Sequence, residues 1–146
     1  MSAFDTMEIS SSGLSAQRMR MKTISSNIAN INTTRTPGGG PYRRKEVIFA
    51  AMPADKTFHE ELISREKEDG TRQVKVVGIV EDSRPPKLKY DPTHPDANEE
   101  GYVELPNVDL VEEVTNMMIA KRSYEANIAS INATKNMILR TLEIGK

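Results

Sequence analysis

The chain contains no cysteine and no tryptophan among its 146 residues. Without cysteine there is no disulfide, no thiol nucleophile and no thiolate metal site. Only two histidines are present, His59 and His94. They lack the spacing of a zinc helix motif, and Asp91 and Asp96 beside His94 are a weak ligand set. A surplus of either charge is missing too. Lys plus Arg number 20 and Asp plus Glu 21, for a formal charge of -1. A dedicated nucleic-acid binder carries a cationic excess on one face, so no nucleic-acid partner is expected. No apolar run reaches the roughly 18 residues that a membrane span needs. Residues 1–31 hold no apolar core of a secretory signal, so no cleaved signal peptide is expected.

Proline is absent from both ends. All eight prolines lie between Pro37 and Pro106, as do six of the eight glycines. Proline removes an amide donor and breaks helices, so the chain reads as helix, punctuated middle, helix. The expected organisation is α+β: a helix in 1–36, a small irregular β-rich part in 37–106 and a helix in 107–146. Within the middle, Val47–Ala51 and Gln73–Val80 are rich in strand formers. Thr57–Ile63 is a strand of poor pattern, Glu68-Asp69-Gly70 a turn, and Leu88–Tyr90 a further short strand. Asp91–Asp96 is too proline-rich for regular structure, and Gly38-Gly39-Gly40 reads as a hinge.

The ends carry heptads. Positions 114, 117, 121, 124, 128, 131, 135, 138 and 142 hold Val114, Met117, Lys121, Tyr124, Ile128, Ile131, Lys135, Ile138 and Leu142. Steps alternating three and four mark a coiled-coil seam. Leu110, Val111, Met118, Ile119 and Met137 widen the stripe. Asn107 or Asp109 is suited to cap the start, and Gly145 to end it. A helix over 107–144 is about 55 Å long at 1.5 Å per residue, more than a 70-residue part can cover. The N-terminal segment offers Phe4, Met7, Leu14, Met21 and Ile28, with Ile24 and Ile31 alongside. Ser10–Gly13 weaken its helix propensity, so it forms on packing. The two termini are expected to pair, parallel or antiparallel, with apolar surface left for other molecules. Six of the eight methionines fall on these helices, where an unbranched side chain adapts to several surfaces.

The run Ser26-Asn27-Ile28-Ala29-Asn30-Ile31-Asn32-Thr33-Thr34-Arg35-Thr36-Pro37-Gly38 resembles the N-terminal signature of the bacterial flagellar rod and hook protein family. Glu112–Asn127, with Arg122, Tyr124, Glu125 and Asn127, resembles the matching C-terminal signature. Two middle stretches, Gly39–Lys45 with Tyr42 and Tyr90–Ala97 followed by Gly101-Tyr102-Val103 and Pro106-Asn107-Val108, are similar to the proximal-rod members. The link Thr33–Thr36 before Pro37 is longer than in distal rod and hook proteins, and residues 52–88 match no motif.

The resemblance implies a structural subunit of the proximal rod with no enzymatic activity, no cofactor and no small-molecule substrate. Its terminal helices would form an inner, tube-lining layer and the β part an outer one. It would assemble with itself, with other proximal and distal rod proteins and with the basal-body adaptor. Export would run through the flagellar type III apparatus, to a rod that crosses the periplasm. The competing readings are a soluble coiled-coil adaptor or export chaperone, and an enzyme with a surface site. Arg43-Arg44-Lys45 reads as a solvated face or an inter-subunit pair. Glu112-Glu113 is no acid–base pair, since nothing nearby separates their pKa values. On a helix Arg122 and Glu125 are placed to pair.

Overall fold

The computed structural model of the chain describes residues 3–53 and 72–144. The candidate strand at 57–63, the turn at 68–70 and Gly145 lie outside them. Two long helices, α1 (Ala3–Ala29) and α2 (Leu110–Ile144), flank four strands: β1 (Lys45–Pro53), β2 (Arg72–Glu81), β3 (Lys87–Tyr90) and β4 (Tyr102–Leu105). The fold class is α+β, as the placement of proline implies.

Local chemistry fixes the helix ends. Asp109 caps α2: its Oδ1 accepts from the amides of Val111 at 2.9 Å and Glu112 at 3.2 Å. Those donors have no partner inside the helix. Asn107, the other capping candidate, instead accepts from the Arg44 amide at 3.1 Å. At the end of α1, Asn30 Nδ2 donates back to the Ser26 carbonyl at 2.8 Å, and Thr33 Oγ1 donates to Asn30 Oδ1 at 3.2 Å. The three-glycine segment closes on itself. Thr36 and Gly40 share an amide–carbonyl bond of 2.9 Å, with Gly39 at φ 84° and Gly40 at φ 70°. It is a hydrogen-bonded turn that needs glycine at two positions.

The helices run antiparallel. Ser10 Oγ donates to Ser130 Oγ at 3.3 Å, Gly13 lies against Asn127, and Asn27 Nδ2 donates to Glu113 Oε2 at 2.9 Å. As the number rises on α1 it falls equally on α2, so one register holds along the pair.

The line of α2 turned towards α1 is Glu113, Ala120, Asn127 and Thr134, seven residues apart, flanked by half-buried Met117, Tyr124, Ile131 and Ile138. Four of the nine heptad positions read from the sequence are therefore on the seam. The other five, Val114, Lys121, Ile128, Lys135 and Leu142, are rotated outward and exposed. On α1, Ile24 is buried, Met7, Leu14, Met21 and Ile28 are half-buried, and Phe4 is 72% exposed. The offset has a steric cause. A Cβ on Gly13 would stand 2.9 Å from Asn127 Nδ2, so the backbones approach too closely for large side chains between them. Ser10, Ala120 and Thr134 fit that gap. Thr134 Oγ1 satisfies itself on the Ser130 carbonyl at 3.0 Å, as Thr23 does on Met19 at 3.1 Å.

β1 and β2 form one antiparallel hairpin, and β3 and β4 another. In the first, Lys45 pairs with Glu81 and Pro53 with Arg72, with a bulge where Ile48 meets Gly78 but Phe49 meets Val76. Val77 is the extra residue, which sharpens the local twist. This hairpin lies on α1, where the Val74 amide donates to Ser12 Oγ at 3.1 Å. β4 was not expected from the sequence; four residues before Pro106 give little periodicity to read. Among the described residues the buried apolar set is small, at Ala16, Ile24, Val103, Val108 and Ala120.

Substituting Gly13 by Leu should lower stability by about 1–3 kcal/mol, the range for overpacking. Asn127→Ala should restore most of that loss in the double variant. Urea unfolding checks the coupling, and strictly additive effects would contradict the close approach.

Candidate functional site

α1, β1 and the start of α2 meet at a buried polar junction. Glu113 is 0% exposed. Its Oε1 accepts from Arg44 Nε at 2.7 Å and its Oε2 from Asn27 Nδ2 at 2.9 Å. Asn27 uses its whole amide. Nδ2 also donates to the Lys45 carbonyl at 2.9 Å, while Oδ1 accepts from the Lys45 amide at 2.9 Å and the Tyr42 hydroxyl at 3.0 Å. One helical side chain thus replaces a strand partner for the first residue of β1. Arg44 reaches Glu112 at 3.4 Å, Glu46 at 3.6 Å and Asp82 at 3.9 Å. Burial opposes its charge, but the hydrogen bond and field of Glu113, with Glu112 and Glu46, outweigh that and hold its pKa above the usual value. Asp82 is pulled below the carboxylate range, chiefly by its bond to the Arg84 guanidinium.

Each oxygen of this buried carboxylate accepts one hydrogen bond, from a guanidinium on one side and a side-chain amide on the other. A charged cleft of about 590 Å³ beside it is lined by Arg20, Arg44, Asp82, Arg84 and Glu112, with Arg44 paired to Asp82 and Glu112 and Arg84 to Asp82. Among the described residues no three His, Cys, Asp or Glu side chains are grouped to hold a metal ion. His94 serves a turn, its Nδ1 accepting from the Asp96 amide at 3.1 Å.

The motif residues divide by position. Asn27 and Tyr42 belong to the junction, Asn30 ends α1, and Asn127 packs on Gly13 while donating to the Ser123 carbonyl at 3.0 Å. Asn32, Pro37, Arg122 and Glu125 are exposed. Glu125 pairs with Lys121 at 3.7 Å rather than with Arg122. Within Arg43-Arg44-Lys45, Arg43 is exposed but Arg44 is buried, so that stretch is not simply a solvated face. Arg44, Glu113, Asn107, Gly13 and Ala120 were missed as a set. Their one legible signal was the seven-residue recurrence Glu113, Ala120, Asn127, Thr134, masked by the more apolar line next to it.

The second feature is an apolar face spread over both helices. At about 100° per residue, Ser12, Ala16 and Met19 lie a quarter-turn to one side of the α2-facing line of α1, under the hairpin. Met7, Leu14, Met21 and Ile28 lie a quarter-turn to the other side. On α2, Leu110, Val114, Ile128, Leu139 and Leu142 are displaced in the same sense from its own seam. Because the helices are antiparallel, both rows emerge on one side of the pair, away from the hairpin. Val114, Ile128, Leu139 and Leu142 are exposed there, and further round Val111 is 75% exposed. No helix among the described residues is long and apolar enough to cross a membrane.

Residues 7–35 match the family model described as flagella basal body rod protein, and residues 99–144 match that of the C-terminal region of flagellar basal body rod FlgEFG proteins. Over 99% of its length the chain is 47% identical to a protein of Borreliella burgdorferi named flagellar basal-body rod protein FlgC, covering 98% of that protein. Proteins of the same name from Bacillus subtilis and Salmonella typhimurium are 45% and 39% identical, each with 100% of both chains covered. The chain belongs to the flagellar basal-body rod protein family. The two family segments coincide with α1 and its asparagine-rich exit, and with β4 and α2. Asn27 and Glu113 each lie in one of them, and Arg44 comes from the stretch between.

Replacing Glu113 by Ala leaves the Arg44 guanidinium buried beside a lost partner and should cost about 3–5 kcal/mol in denaturant unfolding. Glu113→Gln should also destabilise, since its NH2 must face a donor on either Arg44 or Asn27. A neutral effect of both would contradict the junction. A pH effect follows from Asp109, held below its usual 3.8 by the Glu112 and Val111 amides. A lowered folded pKa gives stability that is present above about pH 4 and lost as the pH falls through the folded value. Asp109→Asn keeps an acceptor for the cap, so its thermal midpoint should fall less steeply in acid than that of the parent chain. Equal slopes would count against this reading.

Proposed function

We propose that this chain is a structural, non-enzymatic subunit of the flagellar basal-body rod that polymerises through its terminal helices. The observation that carries this reading is the apolar face on the α1–α2 pair, opposite the hairpin and uncovered by the other described residues. Its extent is set by helix length: α2 has 35 residues, whereas the hairpins pack elsewhere. Burial of that face returns roughly 25 cal/mol per Å², which only a neighbouring molecule can provide.

The neighbours are other copies and other proximal and distal rod proteins, with the basal-body adaptor at the base. Phe4, Met7, Leu14, Met21 and Ile28 on α1, and Val114, Met117, Tyr124, Ile128, Ile131, Ile138 and Leu142 on α2, supply these contacts. Ile24 holds the pair together from within. The parts at 1–36 and 107–146 form the inner layer around the export channel, and 37–106 the outer one. The chain reaches the periplasmic rod through the flagellar type III apparatus without a cleaved signal. A contact between two different surfaces of each copy, repeated without closing, generates a helical assembly.

Ile128 is 38% exposed and off the intrachain seam. Ile128→Asp should therefore fold with stability within about 0.5 kcal/mol of the parent, the usual range for surface changes, yet be missing from isolated basal bodies and abolish motility. Normal motility would contradict the proposal, and so would a closed, discrete oligomer of the purified parent chain that buries this face.

A further inference from the structure

A groove runs between α1 and β2, with a volume of about 680 Å³. Its apolar floor includes Met19, Val74 and Val76, and its rim carries Arg18, Lys22 and Lys75. Among the described residues no carboxylate lines it. The opposite character occurs on the β3–β4 hairpin. Leu88 pairs with Glu104 and Tyr90 with Tyr102, so these four side chains share one face. Leu88 and Tyr90 are exposed, and Tyr90 and Tyr102 stack edge to face with centroids 5.3 Å apart. Exposed Glu99 and Glu100 stand at the loop beside them. Lys87 and Lys89 pair with Leu105 and Val103 and so lie on the other face, which leaves an apolar knob flanked by Glu99, Glu100 and Glu104 to match an apolar groove with a basic rim.

The chain cannot fill its own groove with this knob. Thr34 Oγ1 donates to Asp96 Oδ2 at 2.8 Å and Arg35 lies 4.0 Å from Asp96, which fixes the β3–β4 loop beyond the C-terminal end of α1. The groove sits further back, at Arg18 to Lys22. From Met19 to Ala29 alone the helix advances about 15 Å. We propose, on the basis of the rod-subunit reading, that the β3–β4 hairpin of one copy docks into the α1–β2 groove of the next. Cation–carboxylate pairs at the rim set orientation, and Leu88 and Tyr90 cover the floor. Donor and acceptor are different surfaces displaced along the helix axis, so the contact is heterologous and, repeated without closing, extends an assembly.

The natural absence of cysteine gives a clean test. Two full-length chains, one with Lys22→Cys and one with Glu100→Cys, are co-expressed in place of the parent, and basal bodies are isolated and oxidised. A disulfide-linked heterodimer formed at least tenfold above that from Lys22→Cys paired with an exposed control, Glu143→Cys, is expected. In parallel, Arg18→Glu with Lys22→Glu should reduce incorporation several-fold, and adding Glu100→Lys with Glu104→Lys should restore it. Both chains incorporated without the cross-link, or a link to a different rod protein, would each overturn the docking while leaving the rod-subunit reading intact. Failure of the unsubstituted chain to appear in basal bodies at all would overturn both.

Discussion

The structure depends on one buried carboxylate. Glu113, at the first turn of α2, is fully enclosed and bound by a guanidinium from the strand side and an amide from α1. Removing a carboxylate from water is costly unless every oxygen finds a donor. The need to satisfy Glu113 therefore fixes Arg44 and Asn27, and through Asn27 the hydroxyl of Tyr42 and the backbone of Lys45. Three segments distant in sequence are brought to one point by groups that tolerate little error in distance or angle. An apolar contact of similar area would hold them less specifically.

That tether explains how so small an apolar core supports a 27-residue and a 35-residue helix. Beyond the junction the helices touch through serine, glycine, alanine, asparagine and threonine, which allow close approach but bury little hydrocarbon. The larger side chains stand to the side. The pair is specified internally by polar fit, with Ile24 buried and Met117, Tyr124, Ile131 and Ile138 half-buried at its edges, and in the proposed reading its exposed apolar face is left for contacts with other molecules. A subunit that gains most of its burial at assembly orders fully only where neighbours are present.

Much of this was legible in the sequence. Prolines confined to Pro37–Pro106 marked the two helices, and β-branched runs marked β1 and β2. The Met117–Ile138 line was placed on the seam because its period and its polarity agreed. Its partner line was misread for a physical reason: the heptad rule ranks positions by hydrophobicity, and at a close helix crossing size and hydrogen bonding outrank it. Val114 and Ile128 looked like the seam, yet Glu113 and Asn127 occupy it. Arg44 was hidden by its charged neighbours, since a buried and a solvated arginine are identical letters. The family resemblance marked the junction's stretches in advance, at the asparagine-rich exit of α1, at Gly39–Lys45 and at Glu112–Asn127, without indicating that Asn27, Arg44 and Glu113 meet.

The central claim is that internal order in the isolated chain radiates from the Glu113 junction, while the distal helix faces wait for neighbours. Residue-resolved amide hydrogen exchange on the monomer tests this most directly. The slowest exchange is expected in residues 23–29, 44–47 and 111–120, with protection decaying towards the start of α1 and the end of α2. Uniformly slow exchange along α2 as far as Leu142 in dilute monomer would contradict it.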